Sequence, residues 1–126
     1  MNVHDNIKTK TRKRLIEIMS LYTSTAEELN VIVGRLVKGL RPDRIYLFGS
    51  RARSQAGDDS DVDLLVVVPD SRIPRHQRVK QSYDLLWELT YPVDVIVLTR
   101  EEFNRTSRVK TSLVSTVLNE GKVIYG

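Results

Sequence analysis

Two carboxylates separated by one residue lie at the start of an apolar run in this chain. Asp61 and Asp63 come just before residues 64–68, which read as a β-strand, and side-chain alternation along a strand puts both on one face. Both carboxylates can then bind one cation, which relieves their mutual repulsion. Oxygen ligands favour magnesium over zinc, and Mg²⁺ usually shares its ligands with substrate phosphates. The pair therefore predicts a site for Mg²⁺ and a nucleotide.

A glycine-serine pair ends the preceding apolar run. Residues 45–48 are rich in strand-forming side chains, and Gly49 permits the sharp turn that follows a buried strand. Ser50 then opens a turn or a short helix, where backbone N–H groups without partners and the serine hydroxyl can bind phosphate oxygens. A plain turn is the alternative for such a dipeptide taken by itself.

A third carboxylate, Asp94, interrupts residues 93–98, a run that is otherwise typical of a buried central strand. An unpaired charge in such a strand is costly. If this strand neighbours the strand of Asp63, Asp94 completes a set of three metal ligands and can also accept a proton from an attacking hydroxyl. An aspartate at the exposed edge of a sheet is the alternative. The three motifs together favour a nucleotide and metal site over three unrelated polar positions.

These motifs resemble a known signature. Gly49-Ser50 followed by Asp61-Val62-Asp63-Leu64 is similar to the motif of the polymerase-beta-like nucleotidyltransferases, in particular the minimal nucleotidyltransferase (MNT) family. The resemblance covers roughly residues 25–126 and includes Pro92-Val93-Asp94 and the C-terminal residues 120–125. It implies a nucleotidyltransferase fold.

The resemblance also implies a role for each matched residue. Gly49 and Ser50 would bind the triphosphate, Asp61 and Asp63 would hold Mg²⁺, and Asp94 would assist metal binding and activate the acceptor hydroxyl. The implied reaction transfers AMP from ATP and releases pyrophosphate. Catalysis of this kind depends on positioning and on neutralising the charge of the phosphoryl groups.

Five further cations could contact phosphates or an acceptor. Arg51 and Arg53 follow the serine at alternate positions and could bind phosphates bidentately, although two solvated surface arginines are the alternative. Arg75, Arg78 and Lys80 lie on a predicted helix, where a solvated face is the simpler interpretation.

Composition favours a compact globular chain. Its 126 residues are 40% hydrophobic and 29% charged, with a net charge of +4. They contain no apolar run long enough to cross a membrane and no apolar signal segment, which predicts a cytoplasmic protein without membrane contact. Zero cysteines exclude disulfides, thiolate zinc sites and cysteine nucleophiles.

Periodicity predicts a helical extension at residues 1–23 and a nucleotidyltransferase domain at residues 24–126. The extension is basic, which favours a solvated helix face over contact with nucleic acid or an acidic partner. The second segment predicts an α/β domain with a mixed sheet, helices packed against it and the site at one sheet edge. Its predicted helices start near residue 24, at Pro74, after Thr99 and at Ser112.

The predicted helix from Pro74 extends to about Glu88. Its apolar positions predict an inward face of Val79, Tyr83, Leu86 and Leu89.

The family resemblance implies a protein partner. A chain this small has little room for a separate acceptor-binding domain, and MNT proteins pair with HEPN-domain RNase toxins. The leading hypothesis is an MntA-type antitoxin that forms a hetero-oligomer with its toxin and adenylylates a toxin tyrosine, without binding nucleic acid directly. The alternatives are an antitoxin that only occludes its toxin, and a stand-alone transferase acting on a small molecule or RNA.

Overall fold

The computed structural model describes residues 27–49, 62–89 and 92–126. The chain divides into two compact units, residues 1–31 and 32–126. Within the first unit, residues 27–31 are described and are helical. The predicted basic helix and the predicted domain boundary after residue 23 fall outside the described ranges and stay predictions.

Among the described residues, four strands form one mixed sheet in the order β3-β2-β1-β4. The strand β1 is antiparallel to both β2 and β4, whereas β2 and β3 run parallel. A mixed sheet of this kind confirms the predicted α/β class. The strands are β1 Arg44–Phe48, β2 Val62–Val68, β3 Val93–Thr99 and β4 Lys122–Tyr125.

Three helices begin close to the predicted positions, at Arg75, Arg100 and Leu113, and the helix start predicted near residue 24 lies outside the described residues. The helix α3 begins with a capping box in which the Thr99 hydroxyl accepts from the Glu102 N–H and the Glu102 carboxylate accepts from the Thr99 N–H. The Ser112 hydroxyl likewise caps α4. No helix in the parts of the chain that the structure describes is long and apolar enough to cross a bilayer. The helices are α1 at residues 27–40, α2 Arg75–Leu86, α3 Arg100–Ser107 and α4 Leu113–Glu120.

The inner strand β2 is buried almost throughout because helices cover both faces of the sheet. On one face, α3 and α4 pack over a cluster of buried side chains, in which the rings of Tyr46 and Phe103 stack with their centroids 5.6 Å apart. The buried members of this cluster are Tyr46, Leu65, Val67, Leu98, Val114 and Val117.

The helix α2 packs against β3, and Leu85 near its end contacts Arg35 and Gly39 of α1. The Arg35 side chain donates a hydrogen bond to the Leu85 carbonyl at 3.3 Å and pairs with Glu88. The Leu85 side chain occupies the space that a Cβ on Gly39 would need, so a glycine at this position lets the two helices approach closely.

The predicted inward face of α2 is wrong in part. Leu86 is buried as predicted, but Tyr83 is exposed and Val79 is only partly buried. The buried residues are Arg78, Ser82 and Leu86. The helix also ends at Leu86, two residues before the predicted end.

The prediction that Arg78 lies on a solvated helix face is wrong. Its side chain is only 8% exposed and its guanidinium donates to the Val97 carbonyl at 3.1 Å and to the Glu102 carboxylate at 2.6 Å. Arg75 and Lys80 are exposed, as predicted. Arg78 is therefore a structural residue that ties α2 to β3 and α3.

Candidate active site

Two predicted metal ligands lie side by side at one end of the sheet. Asp63 on β2 is the direct partner of Asp94 on β3 in the parallel register. Neighbouring strands are about 4.8 Å apart, and directly paired residues point to the same face. The fold therefore brings two of the three predicted carboxylates together.

The predicted surroundings of Asp94 are wrong. The strand β3 is the terminal strand in the described sheet, not a central one, and Asp94 is exposed, whereas Asp63 is partly buried. This corresponds to the edge position that the sequence left open as an alternative. Exposure makes Asp94 accessible to a ligand, and it also lowers the cost of its charge.

Gly49 lies against one of these carboxylates, that of Asp63. It follows Phe48, whose partner in the antiparallel register is Asp63, and it adopts a positive φ of 75°. A Cβ on Gly49 would lie 3.2 Å from the Asp63 Cγ and still closer to the Oδ2 of that carboxylate. Both the backbone conformation and the close approach therefore require glycine, which confirms the predicted sharp turn.

Backbone hydrogen bonding fixes this end of the sheet. The Val62 N–H donates to the Pro92 carbonyl at 2.9 Å, which links the residue before Asp63 to the residue two positions before Asp94. The two strands are thus held together up to the point where the carboxylates project. We call Gly49, Asp63 and Asp94 the carboxylate end.

The other predicted site residues, Ser50, Arg51, Arg53 and Asp61, lie outside the described residues, and their roles stay predictions. Within the described ranges, no group of three or more His, Cys, Asp or Glu side chains could hold a metal ion. The third predicted ligand, Asp61, falls in the gap between residues 49 and 62.

The opposite end of the sheet carries carboxylates paired with arginines. The Arg78 guanidinium, which hydrogen-bonds Glu102, and the smaller contribution of the hydrogen bonds from Thr99 together lower the pKa of that carboxyl from 4.5 to about 2. Arg100 forms two hydrogen bonds with Asp43, at 2.8 and 2.9 Å, and lowers the pKa of that exposed carboxyl. We call these two pairs the paired end.

A cavity of about 310 Å³ lies between the end of α2 and the start of β3, and the sequence did not predict it. Its wall includes Val93, the residue before Asp94, and Trp87, which follows α2. The signal in the sequence was a single tryptophan outside the apolar positions of the predicted helix.

Comparison with known proteins identifies the family. A model of the nucleotidyltransferase domain matches residues 26–124, which is most of the chain. This chain belongs to the nucleotidyltransferase domain family. The match confirms the resemblance that the Gly-Ser and Asp-x-Asp motifs indicated, and it is consistent with the MNT family.

Individual relatives support the same assignment. The nucleotidyltransferase domain is 32% identical over 85 residues to a protein of Methanocaldococcus jannaschii named as a candidate protein adenylyltransferase, covering 68% of this chain and 80% of that one.

Two crystal structures have the same fold. One, described as a toxin-antitoxin with AMP-PNP, has a TM-score of 0.57 and 26% identity, covering 77% of this chain and 72% of that one. The other is a candidate nucleotidyltransferase from Sulfolobus solfataricus with a TM-score of 0.57 and 25% identity, covering 82% of this chain and 85% of that one.

Proposed function

We propose that this nucleotidyltransferase domain transfers AMP from ATP to a tyrosine hydroxyl of a HEPN-domain RNase toxin and thereby neutralises the toxin in the cytoplasm. The observation that carries the proposal is the register of Asp63 with Asp94 beside Gly49. The relatives support it, because one is named for protein adenylyl transfer and another is a toxin-antitoxin with an ATP analogue.

The described part of the site fits a magnesium ion. Two carboxylates on one face of adjacent strands, one of them exposed, offer the oxygen ligands that Mg²⁺ prefers. Asp61, Asp63 and Asp94 would hold the ion. When bound, it would neutralise negative charge on the phosphates of ATP.

The residues of the chain supply positioning and proton transfer. Gly49 and Ser50 hold the triphosphate through backbone N–H groups, with Arg51 and Arg53 as further phosphate contacts. Asp94, exposed at the edge strand, accepts the proton of the acceptor hydroxyl. The hydroxyl oxygen then bonds to the α-phosphorus of ATP, and the bond from that phosphorus to the bridging oxygen breaks with release of pyrophosphate.

Mass spectrometry of the partner tests the proposal. The chain is co-expressed with the protein encoded by the adjacent gene, and the intact mass of that protein is measured. We expect an increase of one or more AMP units with the wild type and with the control Asp70→Asn, and no increase with Asp63→Asn or Asp94→Asn. Neutralisation that persists in both site variants without a mass change would contradict the proposal and favour occlusion.

A further inference from the structure

Trp87 is the most exposed large hydrophobic side chain among the described residues, at 81% exposure. It is also the single tryptophan of the chain. Tryptophan carries a large apolar surface, and exposed tryptophans that lie next to a cavity are frequent anchors of protein interfaces. Its position therefore indicates a binding surface.

The cavity beside Trp87 has an apolar floor and one acidic side chain. Leu86 is buried beneath it, at 5% exposure. Asp84 is exposed, and within the part of the chain that the structure describes it forms no ion pair. The cavity is lined by Tyr83, Asp84, Leu86, Trp87, Leu89 and Val93.

The cavity is a formed feature of the sheet edge. The Tyr83 hydroxyl accepts a hydrogen bond from the Val95 N–H at 3.3 Å, so the ring is held against the outer edge of β3. Val93 and Val95 flank Asp94 in the sequence and point to the other face of the strand. A molecule that fills the cavity thus contacts the same edge strand as Asp94, on the opposite face, and a partner protein bound there can reach Asp94 around the open edge of that strand.

We propose that this cavity, which we call the Trp87 cavity, is the docking site for the acceptor protein and receives an arginine side chain of that protein. This inference rests on the proposed function, because it assigns the surface that brings the acceptor hydroxyl to Asp94.

The chemistry of the lining selects arginine. A guanidinium stacks on the face of an indole, and the same group can form two hydrogen bonds with the Asp84 carboxylate. The apolar stem of the arginine packs against Leu86 and Leu89. The chain as a whole carries a net charge of +4, but the acidic Asp84 makes this point of the surface complementary to a basic side chain.

Affinity measurements test the docking site. The dissociation constant for the protein encoded by the adjacent gene is measured by calorimetry without ATP. We expect Trp87→Ala to weaken binding about thirtyfold and Asp84→Asn about fivefold, with a reduced salt dependence in the second variant. The matched controls, Leu118→Ala and Asp70→Asn, remove an exposed apolar and an exposed acidic side chain elsewhere, and we expect changes below about twofold.

A spectroscopic measurement reports the same contact directly. With one tryptophan, a chain labelled with 5-fluorotryptophan gives a single ¹⁹F resonance for Trp87. We expect this resonance to shift when the partner is added and to stay in place when AMP-PNP is added. Because Trp87 is exposed, its replacement by alanine leaves the chain folded, which circular dichroism verifies.

Kinetics separate acceptor docking from nucleotide binding. We expect Trp87→Ala to raise the KM for the acceptor protein and to leave the KM for ATP unchanged. A raised KM for ATP would show that Trp87 stacks on the nucleobase and would overturn the proposal. An unchanged acceptor affinity in Trp87→Ala would overturn it too, and an unchanged affinity in Asp84→Asn alone would exclude arginine as the occupant.

These outcomes are distinguishable from failure of the proposed function. If the wild type binds the partner through Trp87 but adds no AMP to it, the docking site stands and the transfer reaction is wrong. If AMP is added with equal efficiency by the wild type and by Trp87→Ala, the reaction stands and the docking site is wrong.

Discussion

The carboxylates at the two ends of the sheet have different neighbours. At the paired end, Glu102 and Asp43 each contact the guanidinium group of an arginine, and Glu102 is largely buried with its partner. At the carboxylate end, Asp63 and Asp94 occupy directly paired positions of two neighbouring strands, an arrangement that suits a shared divalent cation.

This difference distinguishes carboxylates that stabilise the fold from carboxylates that we propose bind a ligand. Buried charges that serve the fold are neutralised within the chain, because an uncompensated buried charge is costly. Two carboxylates in one strand register suit a divalent cation and a polyphosphate. Substitutions of the ion-paired residues at the paired end should therefore change stability, whereas substitutions of Asp63 or Asp94 should change activity.

The largest expected effect is on catalysis. Asp63→Asn removes one proposed metal ligand while keeping the size of the side chain, and we expect AMP transfer to fall by at least about a hundredfold. Because Asp63 is only partly buried and asparagine keeps its size, we expect the free energy of unfolding to change by less than about 1 kcal/mol. The measurement is AMP incorporation into the partner, paired with urea denaturation. A clear loss of stability would contradict the division between the two ends.

The next largest effect is on stability at the paired end. Arg78→Met leaves the Glu102 carboxylate and the Val97 carbonyl without the buried guanidinium, and we expect the free energy of unfolding to fall by about 3 kcal/mol. The matched control is Arg75→Met, because Arg75 also contacts Glu102, at 3.4 Å, but is exposed; we expect less than about 1 kcal/mol there. Equal losses in both variants would show that burial of Arg78 is not the cause.

Acid should weaken the same contact. The pKa of Glu102 is about 2 in the folded chain against 4.5 ordinarily, so between these values the unfolded chain binds more protons than the folded chain. The stabilisation from Glu102 is therefore complete above about pH 4.5 and is lost as the pH falls toward 2. We expect a decrease of about 2–3 kcal/mol from this group.

Comparison of the wild type with Glu102→Gln by denaturation at several pH values measures this contribution. The stability difference between the two proteins should shrink as the pH falls. A difference that is constant from pH 6 to pH 2 would contradict the assignment.

The smallest expected effect concerns the turn at the carboxylate end. Gly49→Ala forces a Cβ toward the Asp63 carboxylate at a φ of 75°, so we expect a loss of about 1–2 kcal/mol in stability and lower AMP transfer. Gly34→Ala is the matched control, because no heavy atom lies within 4 Å of a Cβ there and the residue is helical. That variant should be as stable as the wild type or more so.

The sequence predicted the local features well. Caps at Thr99 and Ser112, the turn at Gly49 and the strands that carry Asp63 and Asp94 follow from residue type and periodicity. These features depend on neighbours within a few residues, which the sequence displays directly.

Long-range features were not predictable in the same way. Burial of Arg78 depends on Glu102, which lies 24 residues away in the sequence, and on a carbonyl of β3. The edge position of Asp94 depends on the strand order, and its apolar neighbours fit a central or a terminal strand equally well.

Metal binding tests the central claim, that Asp63 and Asp94 share a divalent cation with the nucleotide. Mn²⁺ in place of Mg²⁺ is titrated into the chain with AMP-PNP and followed by electron paramagnetic resonance. Asp63→Asn and Asp94→Asn should each weaken Mn²⁺ binding by at least about tenfold, while Asp70→Asn leaves it unchanged. Equal Mn²⁺ affinity in the wild type and in both carboxylate-end variants would contradict the account.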